Sequence, residues 1–482
     1  MLNGFCLSVS VQIILKLVCH ALCFLARDFM LIQILNSLVK IRLIDLSIEN
    51  VGEEKALVDI RMKGFAKLTS IDEAVDEFFK KINVKKLEPK EISTVAALRR
   101  VLATDILCPR DVPPFDRSAV DGYAIRAEDV FGASDTNPVV LYVKGTSSTG
   151  KVPEQSLRRG EAMLIATGAP LPEGANAAVM IEFTEATGFN KVEVYRPISP
   201  GENVSAQGED VKKGQLILKA GSFLKPPDIG ILAASGLAKV QVTRKPLVAI
   251  LSTGNELVEL GSEMPLGRIV DSNRPVLHAM AEMSGAEPLD LGIMPDERNK
   301  IYEKMKMGLI SSDLILASGG TSVGEHDILP DVVNSLGSPG VLVHGVAMRP
   351  GKPVALCLVD GKPIVLLPGF PVAAMVAYDV FVEPIILRML GASARFYEQP
   401  SVMAIALRRV PSSSGNRSFV RVLVMRKAGR IVFEPLRASG SGVISSMVKA
   451  NGMLIIPEYK EGVEEGEEAN VILLRPVEEE KE

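Results

Sequence analysis

The chain has 482 residues, which is more than one hydrophobic core supports and predicts roughly three or four domains of about 150 residues each. With 47% hydrophobic and 23% charged residues it has the composition of a soluble globular protein, and its net charge of −4 gives no basic field that would favour nucleic acid. Three of the five cysteines lie within residues 1–23, where Cys19, His20 and Cys23 are read as core residues of an apolar run rather than as metal ligands, and the other two stand far apart with no paired spacing. We therefore expect neither a disulfide framework nor a zinc site, and a reducing cytoplasm is the natural compartment.

Residues 1–46 are unusually apolar compared with the remainder of the chain. Charged residues interrupt this segment, so no stretch reaches the roughly 20 apolar residues that span a bilayer. A membrane-associated helix is one interpretation. Because Met62 precedes an ordinary beginning for a soluble protein, our hypothesis is that translation starts there and that residues 1–61 are a non-homologous extension outside the working protein.

After Met62 the pattern predicts helices, then short strands, then a helix again. Residues 70–82 form an amphipathic helix that begins with a capping box, and a second helix is predicted over 93–102. Short apolar runs divided by Gly and Pro then indicate a β-rich domain, with strands at 139–143, 162–165, 178–181 and 192–195. A helix returns at 228–234.

From residue 245 to residue 391 the chain alternates between continuous apolar runs and helical periodicity. Strands are predicted at 247–251, 289–293, 313–317, 354–358 and 364–367, and helices at 273–284, 296–310, from about 328, and 372–390. Buried apolar strands that alternate with helices indicate a mostly parallel sheet covered on both faces. Short strands at 402–407, 419–424 and 431–435 then predict a small C-terminal β-domain.

Three loops follow strands of the predicted sheet, where ligands of open parallel sheets bind. They comprise residues 252–256, 318–327 and 368–371. In the second, Gly319 and Gly320 would let the backbone approach a ligand, Thr321 and Ser322 offer donors, and a helix start follows that favours phosphate. It matches neither a Walker loop nor a dinucleotide-binding fingerprint. The alternative is a glycine-rich connector without a ligand.

Charged residues near this edge have two interpretations each. Glu256, Asp296 and Asp327 suit a divalent cation that bridges acid and phosphate, as Mg²⁺ does, or they are solvated loop acids. In the rigid turn 348–353, Arg349 and Lys352 would project two cations toward an anion. The alternative is a plain surface turn.

Taken together, these segments resemble the molybdopterin molybdenumtransferase family, which includes the C-terminal domain of gephyrin. The similarity runs from about Lys63 to Pro476 and is carried by seven ordered motifs, at residues 115–124, 167–169, 208–210, 252–257, 318–327, 350–353 and 367–371. The resemblance implies an enzyme that inserts molybdate into adenylylated molybdopterin and releases AMP.

The resemblance also implies a multidomain α/β fold and a homodimer. A central α/β domain with a mostly parallel sheet is joined by a β-rich inserted domain, a small discontinuous N-terminal α/β domain and a C-terminal β-barrel-like domain. The implied subdomains are I at 63–110 and 208–243, II at 111–207, III at 244–393, and IV at 398–477. Subdomain II of one chain would face subdomain III of its partner, so the site would be shared between subunits.

Site residues carried over from the family fall into three groups. The implied catalytic acids are Asp121, Asp210, Asp296 and Asp327. The implied substrate-binding residues are Thr167, Glu256, Gly319, Gly320, Thr321, Ser322, Gly324, Arg349, Lys352, Pro368 and Pro371. Asp327 and Glu256 would hold Mg²⁺. Two departures stand out, because many members have Lys where this chain has Arg349, and a basic residue where it has Gly345, beside His344.

Alternatives to molybdate insertion remain at the level of sequence. Tungstate has nearly the size and charge of molybdate, so tungsten insertion by the same chemistry is one of them. A gephyrin-like scaffold that binds a partner is another, although a pure scaffold has no reason to retain Asp121, Asp210 and Asp327. A molybdopterin-binding or adenylylating protein would need only the α/β domain. We expect a cytoplasmic homodimer with small-molecule substrates, transient contacts with other enzymes of the same pathway, and no nucleic-acid or membrane partner.

Overall fold

The structure, a computed structural model, describes residues 68–82, 84–320, 328–393, 399–436 and 440–479. The hypotheses about residues 1–61 and the apolar N-terminal segment concern residues outside these ranges. Among the helices that are described, none has the length and apolar character needed to cross a membrane.

The first described helix follows from local sequence. Helix α1 (Ile71–Lys81) is capped by Ser70, whose hydroxyl accepts the Glu73 N–H while the Glu73 carboxylate accepts the Ser70 N–H, as the predicted capping box requires. Its apolar side, with Ile71, Ala74 and Phe78, is buried in the main core. This predicted helix is confirmed.

The predicted second helix over 93–102 is wrong. The structure has strand β1 (Pro89–Ser93), a single 3₁₀ turn (Thr94–Ala97) and strand β2 (Ile106–Leu107). The Thr94 N–H donates to the carbonyl of Ala238 at 2.9 Å, and Arg99 takes a φ of 61°, outside the helical region. Tertiary pairing therefore outweighs the apolar spacing that imitated a helix.

A β-rich region follows, as predicted. Its strands are β3 (Arg117–Ser118), β4 (Gly122–Ile125), β5 (Val139–Ser147), β6 (Glu161–Ile165), β7 (Ala177–Met180), β8 (Thr184–Ala186), β9 (Lys191–Val194) and β10 (Val204–Ser205). Six of them form one sheet in the order β7-β4-β6-β5-β9-β8, and β10 pairs with β3. Short 3₁₀ turns lie at Ala127–Val130 and Ile181–Phe183. The sheet has its own core, which includes Ile125, Leu141, Val179 and Val192.

The chain then returns to its first segments. Strand β11 (Leu216–Leu218) pairs with β2, and after helix α2 (Pro226–Ala234) strand β12 (Lys239–Thr243) pairs antiparallel with β1. A separate small core, with Leu102, Leu224 and Leu232, lies between these pieces. The β-rich region is thus inserted into a discontinuous unit. The exact subdomain boundaries stay predictions.

The central region is an α/β sheet. Its elements are β13 (Leu247–Thr253), β14 (Leu257–Val258), β15 (Ile269–Val270), α3 (Asn273–Met283), β16 (Glu287–Met294), α4 (Arg298–Ser311), β17 (Leu314–Ser318), α5 (Ile328–Leu336), β18 (Pro339–His344), β19 (Met348–Arg349), β20 (Ala355–Val359), β21 (Lys362–Leu367), α6 (Pro371–Ala377) and α7 (Glu383–Leu390). A π-helical segment (Tyr378–Val382) joins α6 to α7, so the predicted long helix is continuous in outline.

The sheet has the order β16-β13-β17-β21-β20-β18. The first four strands are parallel, whereas β20 is antiparallel to both β21 and β18. Two apolar clusters cover its two faces. The predicted, mostly parallel sheet is confirmed, and its antiparallel end arises because only two residues, Asp360 and Gly361, separate β20 from β21.

The C-terminal region is a closed barrel. Its elements are β22 (Ser401–Ala406), β23 (Val410–Pro411), β24 (Arg417–Lys427), β25 (Arg430–Pro435), α8 (Ser445–Lys449), β26 (Gly452–Ile456), β27 (Gly462–Val463), β28 (Glu468–Leu473) and β29 (Glu478–Glu479). Strands β24, β25, β22, β28 and β26 follow each other, and β26 pairs again with β24 to close the ring. Strand β19 of the α/β region pairs in parallel with β24, which attaches the barrel to the sheet.

Candidate functional site

The loops after β13, β17 and β21 meet at one edge of the sheet. Gly319 has a φ of 95°, and a Cβ added there would lie 2.2 Å from the carbonyl oxygen of Thr253. A Cβ on Gly369 would lie 3.6 Å from the Cα of Gly319. Gly319 is therefore needed for the approach of the neighbouring strand end, a reason that the sequence did not reveal. Gly320, with a φ of 56°, packs against the same threonine and Leu329.

The remainder of the predicted phosphate turn lies outside the described residues, and so do four predicted site residues, namely Thr321, Ser322, Gly324 and Asp327. The third loop is described. Pro368 is buried at the end of β21, and Pro371 begins α6.

Two acids lie at this edge. The Asn255 N–H donates to the Asp296 carboxylate at 3.2 Å, and the Asp296 N–H donates to the Asn255 side-chain oxygen, also at 3.2 Å. This exchange joins the loop after β13 to the loop after β16. Glu256 is exposed beside it. Carboxylate oxygens are ligands that Mg²⁺ prefers, but the described residues contain no group of three metal-ligating side chains.

A cleft of about 850 Å³ separates the α/β region from the barrel. Three predicted site residues, Arg349, Lys352 and Pro368, lie on its α/β side. The barrel side carries hydroxyl groups and one further cation, from Ser412, Ser413, Ser418, Arg421 and Ser441. Arg349 crosses between the two sides, since its Nη1 donates to the Ser413 hydroxyl at 3.0 Å. The arrangement offers cations and hydroxyl donors to a single anion.

Arg421 is a cleft residue that sequence reasoning missed. It lies in β24, where its Nε donates to the Ser446 hydroxyl at 3.2 Å and its Nη2 to the Gly440 carbonyl at 3.4 Å. Burial lowers the pKa of the Arg421 guanidinium below its ordinary value, and it remains protonated at neutral pH. The signal that could have found it is a charged residue inside an otherwise apolar strand segment, 419–424.

A buried arginine, Arg274, joins the elements that lie next to the strand-end loops. The side chain of Arg274 is 10% exposed and donates to Asp271 at 3.2 Å, to Asp290 at 2.7 Å, and to Glu259. Asp271 also accepts the N–H of Arg274 and so caps the first turn of α3. This network fixes α3, β16 and the loop between β14 and β15 to one another.

Asn273 connects that network to the third strand-end loop. It is 8% exposed, and its amide donates to the carbonyl of Gly369 at 2.8 Å. The position of the loop that carries Pro368 therefore depends on the first turn of α3. No motif drew attention to Asn273, because its partner lies 96 residues away in the sequence.

The remaining predicted residues lie in the β-rich region and its flank. The Thr167 N–H donates to the Asp121 carboxylate at 2.7 Å, so these two are brought together. Asp210 lies on another loop, where its N–H donates to the Val112 carbonyl at 3.1 Å. All three are exposed. Within the described residues, no hydrogen bond joins them to the strand-end loops of the same chain.

Comparison with known proteins gives independent evidence about the family of this chain. Three family models match, described as MoeA N-terminal region (domain I and II) at residues 69–236, probable molybdopterin binding domain at 249–388, and MoeA C-terminal region (domain IV) at 403–474. A putative molybdopterin biosynthesis protein of Methanocaldococcus jannaschii is 38% identical over 424 residues, which cover 86% of this chain and 99% of the relative.

Two further matches, one to an enzyme and one to a crystal structure, point to the same family. The molybdopterin molybdenumtransferase of Bacillus subtilis is 36% identical over 397 residues, covering 81% of this chain and 91% of that enzyme. The crystal structure of a molybdopterin biosynthesis moeA protein from Pyrococcus horikoshii aligns with a TM-score of 0.72 and 34% identity, over 84% of this chain and all of that one.

Proposed function

This chain belongs to the MoeA family of molybdopterin molybdenumtransferases, and on that premise we propose that it inserts molybdate into adenylylated molybdopterin and releases AMP. Its broader assignment is a transferase of molybdenum cofactor biosynthesis. The observation that carries the proposal is the cleft in which Arg349, Lys352 and Arg421 lie beside the strand-end loop 368–371 of the α/β sheet.

The cleft suits the oxyanion. Molybdate carries two negative charges, and the three cations would offset them while the serine hydroxyls donate to its oxygens. Arg349 is fixed by its contact with Ser413, so its remaining N–H groups are oriented before the anion arrives. Preorganised donors of this kind stabilise charge that water would otherwise have to solvate.

The strand-end loops suit the pyrophosphate of the second substrate. Gly319 and Gly320 bring backbone to the edge without side chains, and helix α5 begins at Ile328 with the positive end of its dipole toward that edge. Mg²⁺ would be held by Asp327 and Glu256 and would offset the charge of the phosphoanhydride. Asp296 would keep its backbone contact with Asn255, and its carboxylate would pass a proton from a dithiolene thiol to the molybdate oxygen that leaves as water when an Mo–S bond replaces an Mo–O bond.

Asp121, Thr167 and Asp210 would complete the site from the other subunit of a homodimer. Their exposure, and their separation from the strand-end loops within one chain, support that arrangement. We place the enzyme in the cytoplasm with its small-molecule substrates.

The test is incubation of the full chain with adenylylated molybdopterin, Mg²⁺ and molybdate, with AMP release followed by chromatography and a parallel reaction with tungstate. We expect AMP release that requires the oxyanion and falls strongly in the variant Arg349→Gln. The control is Arg409→Gln, which removes an arginine of the same barrel from an exposed ion pair with Glu464. Oxyanion-independent release, or equal rates in both variants, would contradict the proposal. Full AMP release by Asp327→Asn would refute the Mg²⁺ role alone.

A further inference from the structure

Three distant segments meet behind the cleft. The Thr69 N–H donates to the Gly345 carbonyl at 3.1 Å, and the Ala347 N–H donates back to the Thr69 carbonyl at 2.8 Å. On the other side of this segment, the Arg417 N–H donates to the Ala347 carbonyl at 2.9 Å. The segment that leads into the cationic turn therefore lies between the start of the fold and the barrel strand β24.

The side chain of Arg417 ties these segments together. Its Nη1 and Nη2 donate to the two Asp72 carboxylate oxygens at 3.0 and 2.8 Å, and its Nε and Nη2 donate to Glu458 at 3.0 and 3.1 Å. The pKa of Asp72 and that of Glu458 are lowered by this guanidinium. We call the three side chains the Arg417 clamp. It joins helix α1 to the barrel with both carboxylates in fork geometry.

The clamp is one residue away from the cleft. Arg417 is followed by Ser418, which pairs with Arg349 in the register of β19 and β24. Ser418 accepts a hydrogen bond from Ser412 at 2.8 Å, and both serines line the cleft, as does Ser413, the partner of Arg349. Since side chains alternate along a strand, Ser418 serves the cleft while Arg417 serves the clamp behind it.

The clamp is one of several contacts between the two sides of the cleft. The barrel has a core of its own, whereas the main core of the α/β region also includes Phe419 and Met453 of the barrel. The pairing of β19 with β24 involves only two residues of each strand. Asp72 is 73% exposed at its side chain, whereas that of Arg417 is 23% exposed. The clamp therefore adds a polar contact to a junction that apolar packing and the Val372 N–H···Ser441 carbonyl bond also hold, and we expect it to adjust the angle between the two sides.

We propose that Arg417 is a positioning residue, whose clamp on Asp72 and Glu458 sets the separation of the two sides of the cleft and thereby its affinity for the oxyanion. The proposal rests on the proposed function of the cleft. A residue that acts through such a junction changes coupling by about 3- to 30-fold. Its loss lets the barrel side, with Ser412, Ser413 and Arg421, move relative to Arg349.

The experiment measures the Kd for molybdate by isothermal titration calorimetry on the full chain, with melting temperatures recorded in parallel. Arg417→Gln should weaken binding by about 3- to 30-fold, and Arg417→Lys, which keeps the charge but loses the fork, by less. Asp72→Asn changes only an exposed partner and should weaken binding in the same direction. The double variant should equal Arg417→Gln, because both changes break one clamp. Arg409→Gln is the matched control, with binding as in the wild type.

The outcomes separate the two proposals. If Arg349→Gln loses molybdate binding while Arg417→Gln and Asp72→Asn bind within twofold of the wild type, the positioning role is overturned. If the wild type itself does not bind molybdate, or Arg349→Gln binds as tightly, the cleft assignment fails instead. A weakened Arg417→Gln whose effect adds fully to that of Asp72→Asn would also overturn the clamp, because it would place the two residues in separate roles.

Discussion

A single methyl group at Gly319 tests how closely the strand-end loops are packed. In the variant Gly319→Ala, the new Cβ would lie 2.2 Å from the Thr253 carbonyl oxygen and 3.0 Å from its hydroxyl. The carbonyl belongs to the last residue of β13, a buried central strand, so it cannot move without moving the sheet. The residue would also keep a φ near 95°, which L-residues rarely adopt.

The expected loss of unfolding free energy in Gly319→Ala has two parts. Holding an alanine in the left-handed region costs about 1–2 kcal/mol. Forcing an additional carbon into packed backbone costs about 1–3 kcal/mol more. Gly292→Ala in strand β16 of the same sheet isolates the first part, since Gly292 has a φ of 81° and open space around its Cβ position. We expect Gly319→Ala to be the less stable of the two variants by about 1–3 kcal/mol.

The assay is urea unfolding followed by far-ultraviolet circular dichroism, because the chain contains no tryptophan. The comparison is the difference in unfolding free energy between the two variants. Equal midpoints and slopes for Gly319→Ala and Gly292→Ala would refute the reasoning, because they would mean that the contact with Thr253 adds nothing to backbone strain.

Three further predictions follow from the site and its support. Lys352→Gln should weaken molybdate binding and reduce its dependence on ionic strength, measured by calorimetry at two salt concentrations, because the cleft loses one cation. Arg274→Met should lower the unfolding free energy by about 3–5 kcal/mol, measured in urea, because it leaves the buried Asp271 carboxylate unpaired. Burial opposes ionisation of Asp313, but its hydrogen bonds with Arg244 and the Leu247 N–H outweigh burial and lower the pKa of this carboxyl. The stability that the ionised Asp313 contributes is therefore present above its ordinary pKa of 3.8 and is lost as the pH falls below that value. Asp313→Asn should therefore lose less stability than the wild type in urea titrations between pH 6 and pH 3.

The parallel strands were predictable because their signal is local. Continuous apolar runs such as those of β13 and β17 are buried on both faces, and nothing nearby competes with that pattern. The segment 93–102 shows the opposite case. Its apolar spacing is helical, but its backbone groups pair with residues that lie about 120 to 144 positions further along the chain, which no window of neighbours reveals.

The same difference between local and distant signals decides which residues of the candidate site could be predicted. The strand-end glycines and the cationic turn were found because special residues stand next to one another in the sequence. Arg421, Ser412, Ser413 and Ser418 were missed because they reach the cleft through the packing of the barrel on the α/β region, which includes the pairing of β19 with β24. Asn273 was missed for a similar reason, since its contact with Gly369 depends on where α3 begins relative to a distant loop.

Gly345, at a position where the family resemblance implies a basic residue, lies at this junction. Gly345 supplies no cation, and its buried backbone, at a φ of 86°, pairs with Thr69. Its neighbour His344 does not replace the charge, because burial lowers the pKa of that imidazole and leaves it neutral at pH 7. The positive charge of the cleft therefore depends on Arg349, Lys352 and Arg421. Because one of these three comes from the barrel, the field that we propose acts on the anion depends on how the barrel is held.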